Sequence, residues 1–225
     1  MTRKLDPQLV RLLEDAAILQ KKVPDTVLVG GSVAAFYAGH RLSFDHDHVL
    51  SNLQERFDTV LQALEADPEY IVNRVVPGKI ILGEHAGIEY GIRQLIRQRP
   101  LEVVEEHLPS GETIRVPTPE EALRIKAYLL AKRNQTRDFL DVVALSEAVG
   151  VERAAEVLSG MDDYYRDPDQ PVSAVSTQIA GMLANPEPRD RSVTRTLPQY
   201  KSLDKRWHNW DAVRDRAATI GAKIR

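Results

Sequence analysis

The sequence contains no cysteine and no long apolar run, and each of these absences excludes a class of protein. Aromatic residues make up only 6% of the chain. Without cysteine, the 225 residues can form no disulfide, no thiolate metal site and no cysteine nucleophile. No apolar stretch approaches the roughly 18 residues that a membrane-spanning helix needs. The charged residues 1–7 have no apolar segment behind them, unlike a signal peptide. The hydrophobic residues, 43% of the chain, are enough for an ordinary core. Because cysteine is absent, a cytoplasmic protein is the simplest interpretation.

The charge is unevenly distributed, although the net charge is only −3. Residues 189–225 contain ten Lys or Arg against four Asp or Glu, so the rest of the chain is acidic. A basic segment favours an anionic partner, and a solvated helix surface is an equally good interpretation. Trp207 and Trp210 in this segment could stack RNA bases. Their spacing also places them on one helix face, and we favour packing onto the core.

Hydrophobic periodicity divides the chain into a mixed N-terminal part and a helical C-terminal part, typical of an α+β protein. Extended apolar stretches predict strands at 26–29, 70–76, 79–82, 87–96, 101–104 and 113–116, with a hairpin connection at 83–87. Helical spacing predicts helices at 7–22, 33–38, 51–66, 119–133, 136–148, 151–159, 172–184 and 203–221. Proline-rich loops are expected at 167–171 and 185–188. The prolines around residue 118 predict a boundary between an α/β domain, 1–116, and a helical domain, 117–225.

A glycine pair followed by two spaced aspartates is the strongest chemical signal. Gly30 and Gly31 interrupt an apolar strand and open a helical pattern, where a backbone can approach phosphate closely and Ser32 could add a hydroxyl contact. Asp45 and Asp47 lie two residues apart in an extended stretch, so their carboxylates face the same side. Such oxygen ligands suit Mg²⁺. The pattern predicts a metal beside a polyphosphate; the alternative is a solvated turn.

A third carboxylate would complete a two-metal site, and Glu89 is the best candidate. It lies in a predicted strand with a glycine on either side, which keeps the space around it open. Glu84 is the competitor, but its predicted place in a hairpin connection favours solvation. His46 and His48 alternate with the aspartates and therefore face the other way. We favour packed or surface histidines over a zinc site.

A second group of polar residues follows the predicted boundary. Lys126, Arg133, Arg137 and Asp141 would lie along one face of a continuous helix, with Asp138 beside them. Lys126 could neutralise triphosphate charge, and Arg137 could hold phosphate or pair with Asp141. The alternative is a ladder of salt bridges within the helix.

Together the two groups resemble the motifs of the AbiEii/AbiGii nucleotidyltransferase family, bacterial toxins of toxin–antitoxin and phage-defence systems that include the MenT toxins. Residues 30–47 are similar to the family's glycine pair, its Gly-x-Arg-x-Ser element, here with Arg41 and Ser43, and its Asp-x-Asp. Residues 126–141 are similar to its K-x(6)-R-x(3)-R-D-x-x-D run. The histidines at 46 and 48 depart from the family, in which apolar residues are commoner there.

The resemblance implies a DNA-polymerase-β-like nucleotidyltransferase fold, a mixed sheet with helices, followed by a helical domain that completes the active-site cleft. The catalytic residues are then Asp45, Asp47, Lys126 and Asp138. The metal would be Mg²⁺, with Mn²⁺ as an alternative, on Asp45 and Asp47, to which we add Glu89. The expected nucleotide-binding residues are Gly30, Gly31, Ser32, Arg41, Ser43, Lys126, Arg133 and Arg137.

The expected activity is transfer of a nucleoside monophosphate from an NTP, with release of pyrophosphate. The resemblance implies an RNA acceptor, the 3′ end of tRNA, whose modification stops translation. It further implies a cognate antitoxin protein as partner, and no membrane is expected to take part. The alternatives are a protein or small-molecule acceptor, and a non-catalytic module that binds nucleotide.

Overall fold

The N-terminal part of the chain contains both helices and strands, and the C-terminal part contains helices. The computed structural model describes residues 5–97, 99–165 and 174–225. The strands are β1 (Val27–Val29), β2 (Asp45–Leu50), β3 (Tyr70–Val76), β4 (Ile80–His85), β5 (Ile88–Gln94), β6 (Val103–His107) and β7 (Thr113–Pro117). The helices are α1 (Pro7–Lys22), α2 (Gly30–Ala38), α3 (Leu53–Glu65), α4 (Pro119–Arg133), α5 (Thr136–Val149), α6 (Val151–Ser159), α7 (Val175–Ala184) and α8 (Trp210–Gly221). In the described part of the chain, none of these helices has both the length and the apolar character needed to cross a membrane.

Five strands form a mixed sheet in which one neighbouring pair is parallel. The strand order is β1-β2-β5-β4-β3, and β6 and β7 form a separate antiparallel pair. β2 and β5 run parallel, with Asp45 opposite Glu89 and Asp47 opposite Gly91, whereas the other neighbours run antiparallel. Residues opposite each other in neighbouring strands project from the same face. The register therefore determines which side chains can meet across β2 and β5.

One face of the mixed sheet packs against α1 and α3. The α1 helix begins where the carboxylate of Asp6 accepts a hydrogen bond from the Gln8 amide at 2.8 Å, with a proline at its first position. Leu19 of α1 and Leu53 of α3 are fully buried with Ile81 of β4. Along β2, buried residues alternate with partly exposed ones. One face of β2 therefore belongs to the core, and the other face carries Asp45 and Asp47.

The connection between β4 and β5 is shorter than the sequence predicts. We expected residues 83–87 to form it, but β4 continues to His85 and only Ala86 and Gly87 form the turn. Both have positive φ values, 49° and 80°, as tight hairpin turns require. Gly83 therefore lies within β4, at a position that requires glycine because a Cβ atom would collide with the Ile71 carbonyl and the ring of Tyr90.

The C-terminal helix is also shorter than predicted. The expected helix at 203–221 is divided into a 3₁₀ turn, Lys205–Trp207, and α8. The division occurs at Asn209, whose side chain accepts a hydrogen bond from the Asp211 amide at 3.0 Å and so starts a new helix. The expected loop at 167–171 and the first residues of the expected helix at 172–184 lie outside the described residues.

The described residues divide into two compact units. The first contains the chain up to Phe36 together with Leu42–Thr118, and the second contains Tyr37–Arg41 together with Pro119–Arg225. The second unit thus includes the five residues that follow Phe36 as well as the C-terminal helices. The division into domains at residue 116 stays a prediction about independent folding.

Candidate active site

Three carboxylates project from the open face of the sheet, where β2 and β5 run side by side. Asp45 and Asp47 are two residues apart in β2, and Glu89 lies directly opposite Asp45 in β5. A fourth carboxylate, that of Glu84 in β4, lies on the same face, opposite Glu89 on the side away from β2. Since neighbouring strands are about 4.8 Å apart, Glu89 is one strand from Asp45 and Glu84 is two. The register thus favours Glu89 over Glu84 as a third carboxylate.

The carboxylate of Asp47 lies between two glycines. A Cβ atom added to Gly91 would come within 2.7 Å of Asp47 Oδ1, and one added to Gly30 within 3.3 Å of Asp47 Oδ2. Gly30 also has a φ of 84°, a backbone conformation that residues other than glycine rarely adopt. The two glycines leave room for this carboxylate at the start of α2. The sequence predicts that Gly91 leaves space around Glu89, whereas in the structure its Cβ position faces Asp47.

Both aspartates have polar neighbours within the first unit. Arg93 Nε lies 3.4 Å from Asp47 Oδ1 in a partly exposed ion pair. The hydroxyl of Ser43 lies 3.3 Å from Asp45 Oδ1. Arg93 was missed in the sequence because its relation to Asp47 depends on the pairing of β2 with β5. A Gly-x-Arg triplet that begins two residues after Glu89 in the same strand gives no local signal of this contact.

The glycine turn is the first turn of a helix. Gly30, Gly31 and Ser32 open α2, so the first amides of the helix have no partner in the helix itself. The Ser32 side chain is fully buried, and its hydroxyl donates to the Val29 carbonyl at 3.1 Å. A phosphate contact at this position is therefore better supplied by backbone amides than by the Ser32 hydroxyl.

Asp45 and Asp47 together provide the kind of oxygen ligands that a magnesium ion prefers. Asp45 and Asp47 offer hard oxygen atoms on one face, and the two glycines leave space around one of them. In residues 5–97, 99–165 and 174–225, no group of three or more His, Cys, Asp or Glu side chains is arranged to hold a metal ion. Glu89 as a third ligand stays a prediction that rests on the register.

In the second unit, the Asp141 carboxylate accepts hydrogen bonds or ion pairs from three side chains, those of His40, Arg41 and Lys126. Its Oδ1 atom lies 2.8 Å from His40 Nε2 and 2.8 Å from Arg41 Nε, and its Oδ2 atom lies 2.9 Å from Arg41 Nη2. Lys126 Nζ lies 2.8 Å from the same Oδ2. All four residues are buried. Lys126 and Arg41, both predicted to bind nucleotide, are therefore held by a buried carboxylate.

The electrostatics of this Asp141 cluster (His40, Arg41, Lys126 and Asp141) follow from its burial. Burial alone would raise the pKa of Asp141, but the charges of Arg41 and Lys126 and the hydrogen bonds from His40 and Arg41 hold that pKa well below its usual range. Burial lowers the pKa of His40. Its Nε2 donates to Asp141 Oδ1, because a carboxylate oxygen can only accept. Within the described chain, His40 Nδ1 has no hydrogen-bond partner. The sequence placed His40 in a motif without giving it a role.

The predicted stripe on one continuous helix is wrong. α4 ends at Arg133 and α5 begins at Thr136, with Asn134 between them in the left-handed region at a φ of 50°. Lys126 still meets Asp141, but from one helix to the next. Arg133 Nη2 lies 2.6 Å from Oδ1 of the fully buried Asp138.

Arg137, in the first turn of α5, is exposed. The sequence allows it either to hold phosphate or to pair with Asp141. That carboxylate takes its partners from His40, Arg41 and Lys126 instead. Arg137 is thus the most accessible of the predicted nucleotide-binding cations.

The histidines of β2 belong to the core, as we expected for packed residues. His46 and His48 are buried, and their Nδ1 and Nε2 atoms lie 2.9 Å apart. Asp15 of α1 joins them, 2.8 Å from His46 Nε2 and 2.5 Å from Nδ1 of His85 in β4. This polar chain lies on the face of β2 opposite Asp45 and replaces the apolar contacts usual in such a strand.

The tryptophans of the basic segment also pack. Trp207 is buried, and Trp210 meets the ring of Phe139 edge-on, with centroids 5.8 Å apart. The Arg206 side chain reaches Glu147 at 3.0 Å and lies over the ring of Trp207. Packing was the favoured interpretation, and the structure confirms it.

Gly91→Ala is expected to impair the site with little effect on folding. The new methyl carbon would stand 2.7 Å from Asp47 Oδ1, so the carboxylate must move. If Asp47 binds the metal as the sequence predicts, a displacement of about 1 Å can cost about 10²-fold in transfer rate. Transfer rate and thermal unfolding report the two effects. The matched control is Gly181→Ala in α7, where a Cβ atom would have no atom of the described residues within 4 Å. Equal activity of the two variants would contradict the role of Gly91.

The fold has a counterpart among solved structures. An antigenic nucleotidyltransferase-like protein from Paracoccidioides brasiliensis superposes with a TM-score of 0.51, over 90% of this chain and 97% of that chain, at 14% identity. The chain has a nucleotidyltransferase-like fold. The predicted fold class is confirmed, and at this identity the likeness concerns the fold alone. The nucleotidyltransferase toxin MenT4 of Mycobacterium tuberculosis matches 94% of this chain and 82% of its own with a TM-score of 0.44 and 16% identity, too weak to carry an argument.

Sequence similarity points to a segment of much larger proteins. The heme uptake protein MmpL11 of Mycobacterium tuberculosis is 35% identical over 128 residues, which cover 57% of this chain but 13% of MmpL11. Because the match covers so little of MmpL11, it gives no reason to assign the activity of MmpL11 to this chain. No protein-family model matches the sequence. Membership of the AbiEii/AbiGii family therefore stays a prediction.

Proposed function

We propose that the protein is a magnesium-dependent nucleotidyltransferase that transfers a nucleoside monophosphate from an NTP to an acceptor hydroxyl. The observation that supports this most directly is the recessed position of Asp47 between Gly30 and Gly91, with Asp45 beside it on the same face. A structural role would not need a paired carboxylate in a space that two glycines keep free. The nucleotidyltransferase-like fold agrees with the proposal.

In this proposal the two aspartates of β2 are the metal ligands, with Glu89 as a third. When bound, the metal supplies charge neutralisation at the phosphates and activation of the acceptor hydroxyl. The backbone amides of Gly31 and Ser32 bind phosphate oxygens at the start of α2. Arg93, next to Asp47, orients that carboxylate through its ion pair.

The helical residues then divide into two roles. Arg137 is exposed and binds phosphate, because its guanidinium is accessible. Asp138 and Arg133 form an ion pair beside it, and Asp138 is the proposed catalytic carboxylate of this group. Lys126 and Arg41 contribute indirectly. Their ion pairs with Asp141 hold α4 and α5, the helices that carry Arg133, Arg137 and Asp138, in place.

The acceptor that we propose is RNA, namely the 3′ end of tRNA, and the biological role is that of a toxin with a cognate antitoxin. Both rest on the resemblance of residues 30–47 and 126–141 to the AbiEii/AbiGii motifs. A protein or small-molecule acceptor would require the same chemistry at Asp45 and Asp47. A non-catalytic nucleotide-binding module is the alternative outside enzymes.

Labelled NTPs incubated with the protein and a cell extract test the proposal. Label at the α-phosphate should appear in the RNA fraction with one base preferred, whereas label at the γ-phosphate should leave as pyrophosphate. Label in protein or small molecules would reject the RNA acceptor and keep the chemistry. Tight NTP binding without transfer to any fraction would reject the enzyme.

A matched pair of variants tests the third carboxylate. Glu89→Gln should lower the transfer rate by about tenfold or more, because it removes an oxygen charge one strand from Asp45. Glu84→Gln removes a charge on the same sheet face two strands away and should change the rate little. Magnesium titrations of both variants measure the difference. The same rate loss in both would indicate a general effect of surface charge.

A further inference from the structure

The turn between α4 and α5 lacks a cap of its own. Asn134 has a φ of 50°, a conformation that asparagine tolerates better than most residues. Gln135, the residue before α5, makes no side-chain hydrogen bond to the helix. The first amides of a helix have no partner within it, so a start without a local cap needs an acceptor from elsewhere.

Asp190 supplies this acceptor from 54 residues further along the chain. Its Oδ1 atom accepts hydrogen bonds from the Thr136 amide at 2.7 Å and from the Thr136 hydroxyl at 2.8 Å. Thr136 is fully buried, so water cannot easily replace these bonds. A carboxylate at a helix start is also favoured by the helix dipole.

Backbone contacts hold the surrounding segment, residues 187–190, against the same turn. The Asn134 carbonyl accepts a hydrogen bond from the Arg189 amide at 2.8 Å. The Asn134 side-chain amide donates to the Glu187 carbonyl at 3.0 Å. We call residues 187–190 the clamp segment, since it binds the turn both before and after Gln135.

The turn that the clamp segment holds determines the geometry of two proposed site residues. Arg133 is the last residue of α4 and Asp138 lies in the first turn of α5, so their 2.6 Å ion pair bridges the turn. Asp138 is fully buried, and its Oδ2 atom has no hydrogen-bond partner among the residues that the structure describes. The direction of this buried, unpartnered oxygen depends on how α5 starts.

We propose that Asp190 is a positioning residue for nucleotidyl transfer: by capping α5 it orients Asp138 and Arg137 toward the substrate. The inference rests on the proposed function, and Asp190 itself touches no substrate. Its carboxylate acts only through Thr136 and the clamp segment.

Three variants of the full chain test this role by steady-state kinetics with NTP. Asp190→Ala removes the cap and should lower kcat/KM by about tenfold, because a shifted first turn misplaces Asp138. Asp190→Asn keeps an oxygen that can accept from Thr136 and should stay within about threefold of the wild type. The control, Asp204→Ala, removes another cap in the C-terminal segment, the 3.0 Å bond to the Arg206 amide, and should leave the kinetics unchanged.

Amide hydrogen exchange provides a readout that does not depend on activity. In Asp190→Ala, the amides of Thr136, Arg137 and Asp138 should exchange faster than in the wild type, while those at the centre of α5 stay protected. Unchanged kcat/KM in Asp190→Ala, or an equal loss in Asp204→Ala, would overturn the positioning role. If the wild type transfers no nucleotide, the proposed function fails. Unchanged exchange would then refute the cap as well, and local acceleration would support it.

Discussion

Asp45→Asn should abolish nucleotidyl transfer while leaving the fold intact. The substitution keeps the shape of the side chain and an oxygen within reach of the Ser43 hydroxyl, now 3.3 Å from Asp45 Oδ1. It removes the negative charge that a metal ligand provides, and metal-assisted charge stabilisation contributes several kcal/mol to such reactions, so we expect a loss of about 10³-fold or more. The transfer of α-phosphate label to the RNA fraction measures it.

The control for this variant is Asp58→Asn, at an exposed aspartate of α3. Both variants should unfold at the temperature of the wild type, and only Asp45→Asn should lose transfer. If the proposed toxin role is correct, expression of the wild type in a bacterial host should slow growth, and Asp45→Asn should not. Undiminished transfer by Asp45→Asn would reject the mechanism, and equal growth with an active enzyme would reject only the toxin.

The carboxylate pair could be predicted from the sequence because it depends on local geometry. An extended chain places every second side chain on one face, and this alone put Asp45 and Asp47 together and sent His46 to the core. The environment of Asp47 could not be predicted in this way. Gly91 and Arg93 approach it because β2 pairs with β5 in one particular register. Such pairing between distant segments depends on the whole sheet.

The polar residues of α4 and α5 likewise make contacts that local sequence patterns could not predict. Periodicity predicted two helices, yet the polar stripe was assumed to run through both of them. The left-handed conformation of Asn134 ends α4 and turns the chain, so Lys126 meets Asp141 between helices. Asp190 was not noticed at all, because a cap supplied from 54 residues away leaves no local pattern. The signal available was the absence of a capping residue before Thr136.

Asp141→Asn should be the most destabilising single substitution in the second unit. Asp141 is fully buried and faces Arg41 and Lys126, which lie 2.8 Å away. An asparagine keeps the shape but removes the negative charge that faces both buried cations. Removal of one partner from a buried ion pair costs about 3–5 kcal/mol. Denaturant unfolding of the wild type and the variant measures the loss of free energy.

The pH dependence of the same pair of proteins gives an independent check. Arg41, Lys126 and His40 hold the pKa of Asp141 well below its usual range despite the opposing effect of burial. A carboxyl whose pKa is lower in the folded state stabilises the protein above its unfolded pKa of about 3.9, and this stabilisation is lost as the pH falls toward the folded value. Asp141→Asn lacks this contribution. Its stability should therefore decline less steeply than that of the wild type in this acidic range.

An exposed ion pair shows why burial, and not charge alone, sets the size of this effect. Glu156 accepts from Arg153 at 3.0 Å, close to the distances around Asp141, but water surrounds both partners. Glu156→Gln should leave the unfolding free energy unchanged within error, because solvent replaces the lost contact. If Asp141→Asn were equally harmless, the two cations would have found other partners or water, and the Asp141 cluster would not hold the α4–α5 pair together.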